Sequence, residues 1–483
     1  MIGMDAGDIE FIQSSLHELP TLRELFAGHS PLALRSTADA LTSSVWPTFS
    51  TGTLPGEHGI YYPMQWDPDR MTLRRVDAGW LPYEPFWYEL ARQGKRVTVL
   101  DVPFSLPSRL QRGVEVLNWG SQECLGAFQS NRPDLAREIR RRFGLHPMGE
   151  DVPVEEPPAR LERLRAKLVA GARLKGALSR WLMETTEWDL FLTVFAECHR
   201  GGHVLYPGSG DRDTGVPPLA LLDVYRAVDQ AVGHVLDGVD PKTTTVVVFS
   251  VHGMRANYTQ EHFMLPVMER LNARYHGKGA AEEPAAASGF NPMRALRAVL
   301  PPRLQSEVAK ALPDAVRDWV VQRAFCGGLD WSATPGFAVA ASCEGYLRYN
   351  LAGRESEGML ESNGEAFDRY ERWLRDGFLA LEDAATGKRV VKDVVSSADL
   401  YPGPRCRYLP DLIVLWDEVL PAAEIRSEEL GRFHGRLTSG RSGEHRPDGF
   451  AVVRGSPPGA PPLKHIVDFA GFVRSLLLQS RAN

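Results

Sequence analysis

The run Trp188-Asp189-Leu190-Phe191-Leu192-Thr193-Val194-Phe195-Ala196 passes directly into Glu197-Cys198-His199-Arg200-Gly201-Gly202-His203. The first half is apolar, aromatic and β-branched, the composition of a buried central strand. The second half sets two imidazoles four residues apart, so one turn of helix brings both to one face. Isolated histidines are mostly structural, but a pair at this spacing just after a central strand is equally well read as part of a metal site.

Working outward, the same junction recurs. Thr243 to Ser250 is a second buried strand, and it runs into Val251-His252-Gly253. Met1 to Met4 is the short stub of another, followed at once by Asp5. Lys95 to Asp101 is a further strand, and helical stretches at Phe86 to Gln93 and Pro217 to Leu236 separate these runs. Alternation of this kind implies β-α units and a parallel-rich sheet. Ligands of such sheets collect beyond the carboxyl ends of the strands, where Asp5, His199, His203 and His252 all fall.

The chain has 483 residues, 43% hydrophobic and 24% charged, enough for one large elaborated domain or two to three ordinary ones. A net charge of −6 argues against a general nucleic-acid binder, which concentrates Lys and Arg to neutralise phosphates. The five cysteines are scattered, with neither a zinc-ribbon nor a disulfide spacing. No apolar run is long enough to span a bilayer, and the start lacks the features of a secretory signal, so a soluble, cytoplasmic protein is expected. Only Met1 and Ile2 precede Gly3, which is short for a first strand, and an upstream segment would alter that expectation. Ile9 to Phe26 reads as one amphipathic helix. Residues 63–187 are expected to form a helical cap and 277–335 a second helical insertion, both within a single domain spanning 1–483.

The most specific spacing lies from Thr42 to Ile60: Thr-Ser-Ser-Val-Trp-Pro-Thr-Phe-Ser-Thr-Gly-Thr-Leu-Pro-Gly-Glu-His-Gly-Ile. A Ser/Thr-rich helix cap would explain part of it. The whole pattern, Thr-x-x-x-Trp-x-Thr-x-x-Thr-Gly-x-x-Pro-x-x-His-Gly-Ile, resembles the nucleophile region of the type I phosphodiesterase/nucleotide pyrophosphatase branch of the alkaline phosphatase superfamily. The resemblance extends over nearly all of the chain outside the two inserts. It implies a three-layer α/β/α sandwich with a mostly parallel sheet and helical cap insertions. It also implies that Thr42 attacks phosphorus or sulfur and ligates a metal, giving a covalent phospho-threonine that water then hydrolyses.

By the same resemblance, His199, His203 and His445 would hold one divalent metal, and Asp5, Thr42 and His252 a second. His445 lies in the Gly-rich loop Ser442 to Gly449; His434 is a weaker competitor for its role. Zinc is the expected ion, as one or two equivalents, with manganese as the alternative. Three positions depart from the family pattern. Ser44 stands where a Pro is usual, His199 stands where an Asp is usual, and Val251 takes the place of an Asp that would ligate the second metal. An apolar side chain cannot bind a cation, so the second site is expected to be weak or empty unless Glu197 supplies the missing carboxylate. Arg200, Arg446 and Arg255 flank the expected ligands and could clamp an anionic ester.

Tyr61-Tyr62-Pro63 follows His-Gly-Ile where nucleotide pyrophosphatases carry an Asn, and the Cys or Ser that formylglycine sulfatases require is missing. The expected activity is therefore metal-dependent hydrolysis of a small phosphate ester, a diester above all, with sulfate esters open and with neither nucleic acid nor membrane as partner. The rival is a superfamily member that has lost hydrolysis and keeps the pocket for binding, or that transfers a phosphoryl-type group.

Overall fold

In the computed structural model, strands Val246–Ser250, Ile2–Met4, Leu190–Phe195, Val97–Leu100 and Val114–Leu117 lie side by side in that order, all parallel. The structure describes residues 1–148, 158–207, 219–277, 329–339, 341, 343–437, 439–455 and 459–478, with a few positions between 316 and 323. Antiparallel strands finish both edges. Gly449–Arg454 and then Leu32–Leu34 extend the sheet beyond Val246–Ser250, and Gln129–Ser130 extends it beyond Val114–Leu117.

Side chains alternate across a strand, and Leu190–Phe195 shows why the sheet is covered twice. Phe191 and Phe195 join a core with Leu164, Leu168, Val224 and Val228, from helices Pro158–Thr185 and Ala220–Leu236. Leu190, Leu192 and Val194 join a second core with Trp46, Phe49, Phe86 and Phe469 on the other side. The expected three-layer α/β/α sandwich with a mostly parallel sheet is thus the architecture of the chain.

Two local expectations are corrected. The helix expected from Ile9 to Phe26 breaks into Ile9–Ser14 and Pro20–Ala27, because Pro20 has no amide hydrogen for a helix interior and instead takes the first position of a new helix. Residues 63–187 do not make a separate helical cap. They supply Val97–Leu100 and Val114–Leu117 to the central sheet, and their long helix Pro158–Thr185 packs on that sheet through Leu164, Leu168 and Leu178. The insertion expected over 277–335 falls, from 278 to 315 and at most positions from there to 328, outside the described residues.

The larger excursion from the sheet begins after His252. Gly253–Ala256 pairs antiparallel with Gly443–Arg446, placing Met254 opposite His445. This two-stranded neck delivers His445 beside His252. The chain between its strands forms a four-stranded antiparallel sheet, ordered Gly336–Val339, Gly345–Tyr349, Leu412–Trp416, Val391–Ser396. Helices Met264–Tyr275 and Glu365–Leu379 share its core through Val267, Leu271, Leu374 and Phe378.

A buried ion pair pins the long helix to the sheet: Lys175 Nζ donates to Asp101 Oδ2, and both side chains are fully buried. Asp101 also accepts from the amides of Trp119 and Gly120, each at 2.8 Å. Removing one partner of such a pair strands the other charge, so Lys175→Met should cost about 3 kcal/mol or more of unfolding free energy. Urea denaturation of the variant against the parent checks this.

Candidate active site

Thr42 opens a single 3-10 turn, Thr42–Ser44, that continues into helix Val45–Thr51, whose residues from Val45 to Ser50 are all buried. Phe49 stacks on Phe249 with ring centroids 5.1 Å apart and also packs on Phe469, so the segment is clamped between sheet and C-terminal helix. The helix ends at Gly52 with φ +68°, where a Cβ would lie 2.5 Å from that of Ala470; only glycine meets both demands. Ser44, where the resemblance implied Pro, donates its hydroxyl to the Leu41 carbonyl at 2.7 Å and pairs with the Thr37 hydroxyl at 2.9 Å.

The Thr42 hydroxyl, 2% exposed, donates to Oε1 of Glu344. The other oxygen of Glu344 accepts from the Tyr346 hydroxyl at 3.1 Å and from the Cys343 amide at 3.3 Å. Burial pushes the Glu344 carboxyl up from its ordinary range, which makes it a stronger base when ionised.

One helical turn past Thr42, the Trp46 indole donates to Asp5 Oδ1 at 2.9 Å and so joins the Thr42 segment to the end of the first strand. Asp5 Oδ2 faces His199 Nδ1 at 2.7 Å. Nε2 of His199 lies 3.0 Å from Nε2 of His203 and 2.9 Å from Nε2 of His445, so three imidazoles converge through the same ring atom. His252 Nε2 stands 3.6 Å from Asp5 Oδ1. These residues form two overlapping groups able to hold a cation: His199, His203 and His445, and Asp5, His199 and His252.

Burial governs the electrostatics. It pushes Asp5 up, but His199 and His252 outweigh it and hold the carboxyl below its ordinary range. Desolvation, reinforced by the neighbouring imidazoles and by Arg441, drives His203 and His445 well below the usual histidine range. His252 is lowered to about 4, mainly by burial. Neutral imidazole is the form that binds metal, so the donor set fits a divalent cation.

Other expected residues are placed elsewhere. Val251 is fully buried in the hydrophobic core with Trp46, Phe49 and Phe249, so the missing carboxylate has left an apolar contact in its place. Glu197 belongs to neither cation-holding group. His146 takes the Met148 amide on Nδ1 at 3.3 Å, so its Nε2–H donates to Glu197 Oε1 at 2.9 Å. Arg200 binds Gln122 Oε1 at 2.9 Å and the Ser121 carbonyl. Arg446 is held by Glu10 and Asp448 at 2.9 Å each, and Arg255 by Glu444 at 2.9 Å. His434 lies on strand Gly431–His434, 3.4 Å from Glu424, outside both groups.

Two residues of the site carried no readable signal. Glu344 follows Cys343 at the start of strand Gly345–Tyr349 and reaches Thr42 across 302 positions of sequence. Arg441, two residues before the strand that bears His445, acts on His203, His445 and Tyr62, whose phenol burial pushes up to about 12. Its neighbours Gly440, Ser442 and Gly443 mark a loop, and nothing in them marks a cation over the imidazoles.

Comparison with known proteins adds three findings. The model of the family described as type I phosphodiesterase / nucleotide pyrophosphatase matches residues 1–324. Phosphonoacetate hydrolase from Sinorhizobium meliloti 1021, solved with phosphonoformate, superposes with a TM-score of 0.53 at 14% identity, covering 99% of this chain and 94% of that one. Murine ectonucleotide pyrophosphatase/phosphodiesterase 5 superposes with a TM-score of 0.50 at 12% identity, covering 100% of this chain and 95% of that one; an inactive form of it in complex with AMP gives the same figures. At these identities the structures speak for the fold. No curated protein matches the sequence. Among the described residues, no helix is long and apolar enough to cross a membrane.

The lowered imidazoles set a pH dependence for the metal-free protein. A folded-state histidine below its ordinary 6.5 binds fewer protons than the unfolded chain, so stability is full above about pH 6.5 and is lost as pH falls toward about 4, the value for His252. Thermal unfolding of chelator-treated protein between pH 7.5 and 4 should show Tm falling through that window.

Proposed function

Because the chain belongs to the type I phosphodiesterase/nucleotide pyrophosphatase family, we propose that it is a metal-dependent hydrolase of small phosphate esters, diesters above all, that works through Thr42. The observation that carries this reading is the buried hydrogen bond from the Thr42 hydroxyl to Glu344, in a segment tied through Trp46 to Asp5 and the imidazole cluster. Free threonine is far too weak an acid to attack phosphorus unaided. Glu344 takes its proton as Oγ1 bonds to phosphorus, and the ester oxygen on the opposite side departs as the alcohol after protonation from solvent. Water, releasing a proton to solvent, then attacks the phospho-threonine, and Thr42 recovers its proton from Glu344 as the phosphate monoester leaves.

A divalent cation held by His199, His203 and His445 would supply positive charge at the reacting phosphoryl oxygens, and an all-imidazole set suits zinc better than manganese. Arg441 is the cation whose field reaches the imidazoles, and it takes the ester-clamping role first considered for Arg200, Arg446 and Arg255. A second reading, a binding protein without turnover, draws on one observation: Val251 in the hydrophobic core removes a ligand that hydrolytic relatives are expected to use.

The two readings part on variants. Thr42→Ala should lower turnover of an aryl phosphate diester by about 1,000-fold or more with the circular dichroism spectrum unchanged. Loss of the base in Glu344→Gln should cost about 100- to 10,000-fold in kcat. Parent protein without turnover after metal loading, on monoester and diester alike, would leave the binding reading. Arg441→Ala should raise KM more than it lowers kcat, as steady-state kinetics on the diester would register.

A further inference from the structure

Hydrogen bonding fixes where the lone pairs of His199 and His203 lie. Gly443 offers only a carbonyl oxygen to His203 Nδ1, at 3.0 Å, so Nδ1 carries the hydrogen and Nε2 the lone pair. The Asp5 carboxylate imposes the same state on His199: Nδ1–H donates at 2.7 Å and Nε2 is left as an acceptor. Nε2 of His199 and Nε2 of His203 are then two acceptors facing each other at 3.0 Å, with Nε2 of His445 2.9 Å from the first. The approach of His199 and His203 is repulsive unless a cation sits between the two nitrogens, and His445, whose Nδ1 meets no hydrogen-bond partner among the described residues, can turn its Nε2 lone pair to the same ion.

The second group lacks that opening. Asp5 Oδ2 is engaged by His199 Nδ1–H, and Oδ1 accepts the Trp46 indole at 2.9 Å, so both oxygens have donors inside the protein. His252 turns Nδ1 to the Gly253 carbonyl at 3.2 Å, leaving a single nitrogen toward Asp5. A second ion there could count on His252 Nε2 and an Asp5 carboxylate already shared with two hydrogen-bond donors; His199 could join only by giving up its Nδ1 proton to become a bridging imidazolate, and Val251 in the apolar core supplies no further ligand.

We propose that the centre takes one metal ion, held by Nε2 of His199, His203 and His445, and that Asp5 is not a ligand of a second ion but the outer carboxylate that orients His199. The proposal rests on the metal-dependent reading above. It gives the histidine at position 199 a meaning of its own: an imidazole in place of a carboxylate moves the negative charge one shell outward and creates a carboxylate–histidine–metal arrangement. Asp5 and Trp46 are positioning residues, and three protein nitrogens would leave a tetrahedral ion one place for water or substrate.

The test is elemental analysis of the full-length protein after loading with excess zinc and desalting. One equivalent is expected in the parent, none in His203→Ala, and one in Asp5→Asn at saturating zinc with affinity about 10- to 100-fold weaker. The cobalt-loaded parent should give a visible spectrum of one four-coordinate site, kept in Asp5→Asn with shifted bands. Two equivalents in the parent, falling to one in Asp5→Asn, would overturn the proposal, as would no bound metal at all. The parent stoichiometry requires no variant and stands even if Asp5→Asn fails to fold. Turnover is read separately: one equivalent without hydrolysis would defeat the hydrolase reading and leave the single-ion centre standing, whereas two equivalents with hydrolysis would do the reverse.

Discussion

The hydrogen bond between Asp5 and His199 is the contact on which the site turns. It joins the carboxyl end of the first strand to the first turn of the helix that follows Leu190–Phe195, two parallel neighbours whose register places Met4 opposite Phe195. Because that register is set by backbone pairing, the carboxylate and the imidazole meet without any loop having to be ordered for the purpose. The same bond fixes the tautomer of His199, and from the tautomer follows that the lone pair of its Nε2 points at Nε2 of His203 and of His445.

Around this contact the two layers of helix have different tasks. On one face, Pro158–Thr185 and Ala220–Leu236 form a continuous apolar wall with the sheet and carry the Lys175–Asp101 pair. On the other, the short nucleophile helix is held by aromatic packing of Phe49 on Phe249 and Phe469, with Trp46 presenting its indole to Asp5. Val251 belongs to that aromatic layer. Where resemblance to the family implied a carboxylate, the strand end thus carries one more packing contact beneath the segment that begins at Thr42.

The antiparallel neck Gly253–Ala256 with Gly443–Arg446 brings in what the central sheet lacks. It sets His445 against the imidazole pair, and the excursion it closes returns Glu344 to the Thr42 hydroxyl. The carboxylate beside Thr42 thus comes from the four-stranded sheet, and the imidazoles His199 and His252 from strand ends of the central sheet, with the neck that bears His445 between them.

The sequence by itself determined the parallel β-α core, the strand ends that bear Asp5, His199 and His252, and the Thr42 to Ile60 pattern that carries the family resemblance. All of these rest on local signals: apolar runs of strand length, a histidine pair at helical spacing, and a dense pattern within nineteen residues of chain. Only the tertiary structure decided that residues 63–187 build sheet and wall instead of a cap, since short strands among loops show their partners only once paired. It also decided that Glu197 pairs with His146, that Arg200, Arg255 and Arg446 are bound by protein oxygens, that Glu344 reaches Thr42, and that Arg441 reaches Cys343, next to Glu344. A charged side chain carries no mark of its partner in the chain around it. Partners separated by tens to hundreds of residues are chosen by packing, and burial then sets which charges survive.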